Sequence, residues 1–325
     1  MEKNIFITRK IPDIGINMLR SKGYKVEVNL SENIPNQKQI IKLLKKKPYD
    51  AVITLLTDRI DETVFDALPG IKMYANYATG YDNIDAAEAG KRDITVANAP
   101  GALSSTAVAE HTIALMLSLA KRLGEADAFV KAGRYRGWSP THFMDMELGG
   151  KTLGLIGAGR IGGQVARFAT GLGLRVIYYD VKRNEQFEKE SGALYQGSLD
   201  EVLKQADFVS LHVPFLPATR HLINEENLGL MKPAAFLINT SRGGVVDERA
   251  LERALKNKVI AGAGLDVFEF EPKISRGLRK LPNVVLTPHI ASASREAREE
   301  MSEIAANNVI DFLEGRIPRN IVNEK

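Results

Sequence analysis

The 325-residue chain has no cysteine, one tryptophan and no uninterrupted apolar run near the length of a membrane-spanning helix. Without cysteine there is no disulfide framework and no thiolate chemistry, which fits a reducing, cytoplasmic setting. The start, Met-Glu-Lys-Asn-Ile-Phe-Ile-Thr, lacks the layout of a secretory leader and runs straight into a strand pattern. Charge of one sign is also lacking. The 44 Lys and Arg against 40 Asp and Glu leave a formal net charge of +4. Lys45-Lys46-Lys47 reads as the solvated end of a helix. No basic stripe is interleaved with aromatics, so neither nucleic acid nor a membrane is an expected partner. No metal site is assigned.

What stands out instead is a glycine pattern near the middle, Gly157-Ala-Gly159-Arg160-Ile161-Gly162. Such a pattern alone is weak, but here Thr152 to Ile156 reads as a buried strand before it. Ile161, Val165, Phe168 and Ala169 follow at helical spacing. Asp180 ends a second apolar strand, Leu174 to Tyr179, roughly 20 residues on, as a dinucleotide-binding βαβ unit requires. Gly157 permits the tight turn, Gly159 lets backbone approach a pyrophosphate, and Gly162 allows close helix–strand packing. The pyrophosphate is expected at the helix N-terminus near Arg160 and Ile161.

On either side, short apolar strands alternate with helical stretches. Strands are predicted at 5–8, 26–28, 51–54, 71–75 and 94–97, then at 176–180, 208–212, 235–239, 259–263 and 284–287. Helices are predicted at 14–21, 37–46, 61–68, 104–122, 247–257 and 292–314. This alternation implies parallel sheets with helices on both faces. The fold class is therefore α/β, with two doubly wound parallel-sheet domains. A Rossmann domain at 99–290 is inserted into a flavodoxin-like substrate domain made of 1–98 and 291–325, to whose sheet the tail from Ile317 can return. A ligand cleft is expected at strand C-terminal ends.

Three stretches follow strands and carry chemistry. In Asn239-Thr-Ser-Arg242-Gly-Gly, the arginine offers a planar fork of donors that matches a carboxylate; the plain alternative is a surface arginine at a turn. In Leu265-Asp266-Val-Phe-Glu269-Phe-Glu271-Pro272, the proline biases Glu271 towards extended backbone. Glu269 reads better as part of an exposed acidic loop. In Thr287-Pro-His289-Ile-Ala-Ser, His289 is the best placed of five histidines for acid–base work. His111 and His221 read as helix-packing or surface residues, His142 as a loop residue and His212 as a cofactor-lining one.

These stretches, with Tyr77-Ala-Thr-Gly80-Tyr-Asp-Asn-Ile-Asp85, Asn98-Ala-Pro-Gly101 and His212-Val-Pro214, resemble the D-isomer-specific 2-hydroxyacid dehydrogenase family along essentially the whole chain. Within it the likeness is strongest to glyoxylate/hydroxypyruvate reductases. The resemblance implies reversible NAD(P)H-dependent reduction of a small 2-oxo acid to the D-2-hydroxy acid. It assigns His289 as proton donor and acceptor, Glu271 as its partner, and Arg242 to the substrate carboxylate and carbonyl. It places Ala78, Thr79 and Gly80 against that carboxylate, and Asp266 at the nicotinamide carboxamide. Thr106, Val213, Pro214, Thr219 and Thr240 would line the cofactor. Asp180 favours NAD over NADP, because a carboxylate accepts from ribose hydroxyls and repels a 2′-phosphate; nearby Lys182 and Arg183 soften that discrimination.

Where relatives often have Ile-Gly-Ser after the histidine, this chain has Ile290-Ala291-Ser292, which narrows the expected pocket. Where they often carry a tryptophan, it has His142. A D-3-phosphoglycerate dehydrogenase and a dinucleotide-sensing corepressor are the alternatives. The apolar stretch 102–119 and the arm 133–146 point to a homodimer.

Overall fold

Ile5, Phe6 and Ile7 are all buried, and burial on both faces is what an apolar strand in a parallel sheet requires. Ile5 and Ile7 face one hydrophobic cluster and Phe6 the other. Ala51, Ile53 against Val52, and Met73, Ala75 against Tyr74, repeat that two-residue alternation. The computed structural model describes residues 2–323, which form two units. Unit 1 comprises the chain up to Ser104 and from Ala293 onward, and unit 2 spans Ser105–Ser292.

Unit 1 holds β1 (Asn4–Ile7), β2 (Lys25–Val28), β3 (Ala51–Leu55), β4 (Met73–Tyr77) and β5 (Thr95–Ala97). They form one parallel sheet in the order β2-β1-β3-β4-β5, the flavodoxin-like order. The helices Asp13–Ser21 and Arg295–Leu313 cover one face. Gln37–Leu44 and Glu62–Ala67 cover the other. The first pair meets closely because Gly15 has no side chain: a Cβ there would lie 2.3 Å from the Ser302 carbonyl oxygen. Ser302 Oγ uses the opening to donate to Pro12 O, and it accepts from the Gly15 amide. The tail does return to the sheet, with an antiparallel bridge between Ala97 and Ile321 and a bond from Val322 N to Val96 O.

Unit 2 holds β6 (Thr152–Ile156), β7 (Arg175–Tyr179), β8 (Leu194–Tyr195), β9 (Phe208–Leu211), β10 (Phe236–Asn239), β11 (Gly262–Leu265) and β12 (Val284–Leu286). The parallel order β12-β11-β10-β9-β6-β7-β8 is a Rossmann sheet extended by one strand. The switch point lies between β6 and β9, the strands that precede the glycine loop and His212-Val213-Pro214.

Several boundaries differ from expectation for identifiable reasons. The strand expected at 259–263 begins at Gly262, because Val259 N still bonds to Ala254 O and closes the preceding helix. The glycines of Gly-Ala-Gly-Leu blurred the strand's bounds; one of them, Gly262, is required because a Cβ would lie 2.5 Å from Asn283 O. β8 has two residues, too few for a pattern. The helix Ala102–Ala120 is long and apolar enough to cross a membrane, a feature the search for an uninterrupted run did not show. Its residues Ala109, Leu115, Met116, Leu119 and Ala120 are buried in a unit 2 core cluster.

Candidate active site

Parallel strands end on one edge of their sheet, so the segments after β10, β11 and β12 start side by side. They carry Arg242, then Asp266 through Glu271, then His289. Arg242 caps a short 3₁₀ turn, Gly243–Val245, and its carbonyl accepts from Asn239 Nδ2 at 2.9 Å. Its Nη1 donates to Ser241 O at 2.8 Å. Gly243 must be glycine here, since a Cβ would fall 1.9 Å from the Phe268 carbonyl carbon. That approach packs the arginine turn directly on the loop that carries Glu271.

Glu271 and His289 meet. Glu271 Oε2 lies 3.0 Å from His289 Nδ1, while Oε1 accepts from Phe268 N at 2.9 Å. A carboxylate only accepts, so Nδ1 carries the proton of this contact and Nε2 is left for a reacting group. His289 sits at φ 55°, an uncommon left-handed conformation for a residue with a side chain. Asp266 holds it there. The His289 amide donates to Asp266 O, and the amides of Ile290 and Ala291 donate to Asp266 Oδ1 and Oδ2 at 2.9 and 2.8 Å. Thr287 Oγ1 donates to Oδ1 at 2.6 Å, and the His111 ring lies 2.9 Å from that hydroxyl. Burial pushes the Asp266 carboxyl up, but the bonds from His111, Thr287, Ile290 and Ala291 outweigh it and hold it below the ordinary carboxylate range.

Two expectations change. Glu269 is not in an exposed acidic loop: it is half-buried, 2.7 Å from His221 Nε2, and it accepts from Glu248 N. His111 is more than a packing residue, because its ring joins the Asp266–Thr287 network. Sequence reasoning missed both pairs. The available signal was that His111 and Glu110 are the only ionisable residues in a long apolar helix.

The glycine loop fits a dinucleotide. Gly157 adopts φ 104°, and a Cβ would lie 2.6 Å from His212 O; at Gly162 one would lie 2.4 Å from Gly157 O. At Gly159 a Cβ would meet nothing within 4 Å, so the backbone there is open to a ligand. Gly159 caps the helix Arg160–Gly171, whose first internal bond comes from Gly163 N. Among the described residues the amides of Arg160, Ile161 and Gly162 reach no protein acceptor, as an anion site needs.

Asp180 Oδ2 accepts from Ala158 N at 2.8 Å and Oδ1 from Val181 N at 2.7 Å, leaving one lone pair on each oxygen. Arg183 points its fork at Glu188, with both contacts at 2.8 Å. The Arg183 guanidinium and the Tyr178 hydroxyl pull the Glu188 carboxyl down to about 2.

The other predicted lining residues divide. Val213 is half-buried and Pro214 exposed after β9, and Thr106 is half-buried in the helix Ala102–Ala120. Thr219 Oγ1 donates to Pro214 O and accepts from Leu216 N, so it shapes its own loop. Thr240 is buried; Thr112 Oγ1 gives its proton to Val108 O, so Thr240 Oγ1 donates to Thr112 at 2.9 Å. Any dinucleotide contact from these two threonines therefore falls mainly to backbone. The ring of His212 lies 2.9 Å from Ser210 Oγ, and desolvation lowers it to about 4, which leaves it neutral near pH 7. His142 stacks edge-on with Phe129 and Phe143.

A Rossmann sheet with a pyrophosphate-ready glycine loop, beside an arginine and a carboxylate-held imidazole, defines a nicotinamide-dependent oxidoreductase of small acids. A family model described as "D-isomer specific 2-hydroxyacid dehydrogenase, NAD binding domain" matches residues 113–291. A Pyrococcus furiosus protein named glyoxylate reductase is 49% identical, covering 100% of this chain and 96% of its own. A solved Thermus thermophilus structure superposes with TM-score 0.91 at 40% identity, over 98% of this chain and 99% of that one. The Aquifex aeolicus D-lactate dehydrogenase, solved with NAD and lactic acid, gives TM-score 0.86 at 33% identity, over 99% and 100%. The chain belongs to the D-isomer specific 2-hydroxyacid dehydrogenase family. It is an NAD-dependent D-2-hydroxyacid dehydrogenase that reduces a 2-oxo acid.

Proposed function

We propose that the protein uses NADH to reduce glyoxylate, hydroxypyruvate or a 2-oxo acid of similar size to the D-2-hydroxy acid, and that the reaction runs in reverse. The observation that carries this reading is the 3.0 Å contact of Glu271 with His289, which leaves Nε2 of the imidazole for the substrate. The identity with glyoxylate reductases supports the size of the acid.

Bound NADH supplies a hydride to the carbonyl carbon. His289 donates its Nε2 proton to the carbonyl oxygen, and Glu271 keeps the imidazole oriented through Nδ1. Arg242 binds the carboxylate and stabilises charge developing on the carbonyl oxygen. In the loop after β4 the amides of Thr79 and Gly80 are the donors offered to a carboxylate; the Ala78 amide, expected to join them, is already given to Asn76 O at 2.8 Å. Gly157, Gly159, Arg160, Ile161 and Gly162 would hold the pyrophosphate, and Asp180 the adenosine ribose. Thr106, Val213, Pro214, Thr219, Thr240 and Asp266 line the cofactor, and Asp266 also positions the His289 loop. NAD is preferred to NADP because the Asp180 carboxylate would accept from ribose hydroxyls and repel a 2′-phosphate, while Arg183 is engaged by Glu188. The working form is a homodimer. Leu123, Val130, Tyr135, Trp138 and Met144 expose large apolar surface on the helix Leu123–Lys131 and the arm after it.

The test is NADH oxidation with glyoxylate, hydroxypyruvate, pyruvate and 3-phosphohydroxypyruvate in parallel. The first two should give the highest kcat/KM. A preference for the phosphorylated acid would make the protein a phosphoglycerate dehydrogenase. Turnover of none, with NADH still bound, would favour a dinucleotide-sensing corepressor.

A further inference from the structure

Three consecutive carbonyls in the loop after β4 are each held from within unit 1. Ala78 O accepts from Ala99 N at 2.8 Å, Thr79 O from Asn98 Nδ2 at 2.6 Å, and Gly80 O from Asn76 Nδ2 at 2.9 Å. In a trans peptide the N–H points opposite to the C=O of the same unit. Fixing these carbonyls therefore aims the amides of Thr79, Gly80 and Tyr81 away from the acceptors' partners. None of those three amides reaches a protein acceptor among the described residues. Backbone amides left without a protein acceptor are donors that an anion can take up.

The two asparagines are themselves locked. Asn76 is fully buried; its amide nitrogen also donates to Asn83 Oδ1, and its oxygen accepts from Thr54 Oγ1 at 3.1 Å. Asn83 donates in turn to Leu55 O and Asp58 O. Carbonyls can only accept, so these bonds fix which end of each side-chain amide is nitrogen. Asn98 is gripped through its backbone, its amide donating to Asn320 O and its carbonyl accepting from Asn308 Nδ2 at 2.8 Å.

We propose that Asn98 and Asn76 are positioning residues that present the 79–81 amides to the substrate carboxylate, and so set the preference for an acid over a neutral carbonyl compound. The proposal rests on the 2-oxo acid reading above. Asn98 sits in the segment Asn98-Ala-Pro-Gly101 and Asn76 immediately precedes Tyr77-Ala-Thr-Gly80, so the two sequence motifs become one device.

The experiment compares glyoxylate with its methyl ester in the full-length enzyme and in Asn98→Ala and Asn98→Asp. Asn98→Asp keeps the shape but cannot donate to Thr79 O. Both variants should lose about tenfold in kcat/KM for glyoxylate, through KM, as expected for one misplaced charge-assisted donor set. Activity on the ester and the Kd for NADH should stay within about twofold of wild type, so the acid-to-ester ratio drops about tenfold. A merely structural role would lower both substrates alike, or the Tm, and leave the ratio unchanged; that result overturns the proposal. A wild-type enzyme inert towards every 2-oxo acid instead removes the functional reading, and the proposal falls with it.

Discussion

His221 Nε2 and Glu269 Oε1 lie 2.7 Å apart, a second imidazole–carboxylate contact on the same loop that bears Glu271 two residues later. Glu269 is tied further through reciprocal backbone bonds with Glu248, and His221 N donates to Gly244 O in the Arg242 turn. The pair thus braces the two segments that carry Arg242 and Glu271. Glu269→Gln should lower kcat/KM for the 2-oxo acid by about tenfold, with the Kd for NADH nearly unchanged. Steady-state kinetics alongside NADH titration checks this, and wild-type kcat/KM would remove the bracing role.

His289→Ala should reduce turnover by at least about 100-fold, the usual contribution of a positioned acid–base group, while NADH binding persists. Glu271→Gln preserves shape but removes the charge, and should fall between that variant and wild type. Single-turnover measurements separate the chemical step from product release. Near-normal rates in His289→Ala would require another proton donor.

Cofactor choice should respond to two residues in opposite ways. Asp180→Asn loses a charged acceptor for the ribose hydroxyls and should cut the NADH-to-NADPH ratio of kcat/KM by about tenfold. Glu188→Ala releases Arg183 and should raise kcat/KM with NADPH while leaving that with NADH unchanged. An unaltered ratio in both variants would show that discrimination lies elsewhere.

His212 makes stability depend on pH. Desolvation holds its folded pKa near 4 against an ordinary 6.5. Between those values the unfolded chain takes up a proton that the folded chain refuses, so stability is lost as pH falls through that window. The loss amounts to about 2 kcal/mol by pH 5. Urea unfolding midpoints at pH 7 and 5 should differ accordingly, and His212→Asn should flatten the difference. Equal slopes for variant and wild type would exclude His212 as the source.

If the exposed residues on Leu123–Lys131 and the following arm meet a second copy, light scattering at micromolar concentration should give twice the chain mass. Val130→Glu with Leu123→Glu should shift that mass towards the monomer. A monomeric wild type would refute the dimer.

Alternation of buried residues made both sheets legible, because an apolar strand covered on both faces leaves a run such as Ile5-Phe6-Ile7. β11 was expected too early in the chain, at 259–263, because Gly262 and Gly264 carry no side chain to mark its bounds. Arg242, Glu271 and His289 were legible because each follows a strand end and matches a family motif. Their supports were not. Asp266 reaches Ile290 and Ala291, and His221 reaches Glu269, across long stretches of chain. Local pattern shows where a side chain leaves an element, not which acceptor it meets. Glu269 was misjudged for that reason, since three acids in one short loop look like a solvated surface until a histidine from another segment is brought to one of them.

The close approach of Gly15 to Ser302 bears on how the protein is made. One face of the first sheet is covered by Met301, Ala305, Ala306, Val309 and Ile310, all from the last helix. A ribosome therefore delivers unit 2 as a contiguous piece, while that face of the first sheet has only the helix Asp13–Ser21 over it until the final helix emerges. Nascent chains halted before Ala293 should show unit 2 resisting protease and the N-terminal segment being cut, which makes synthesis itself the interval of greatest exposure to aggregation.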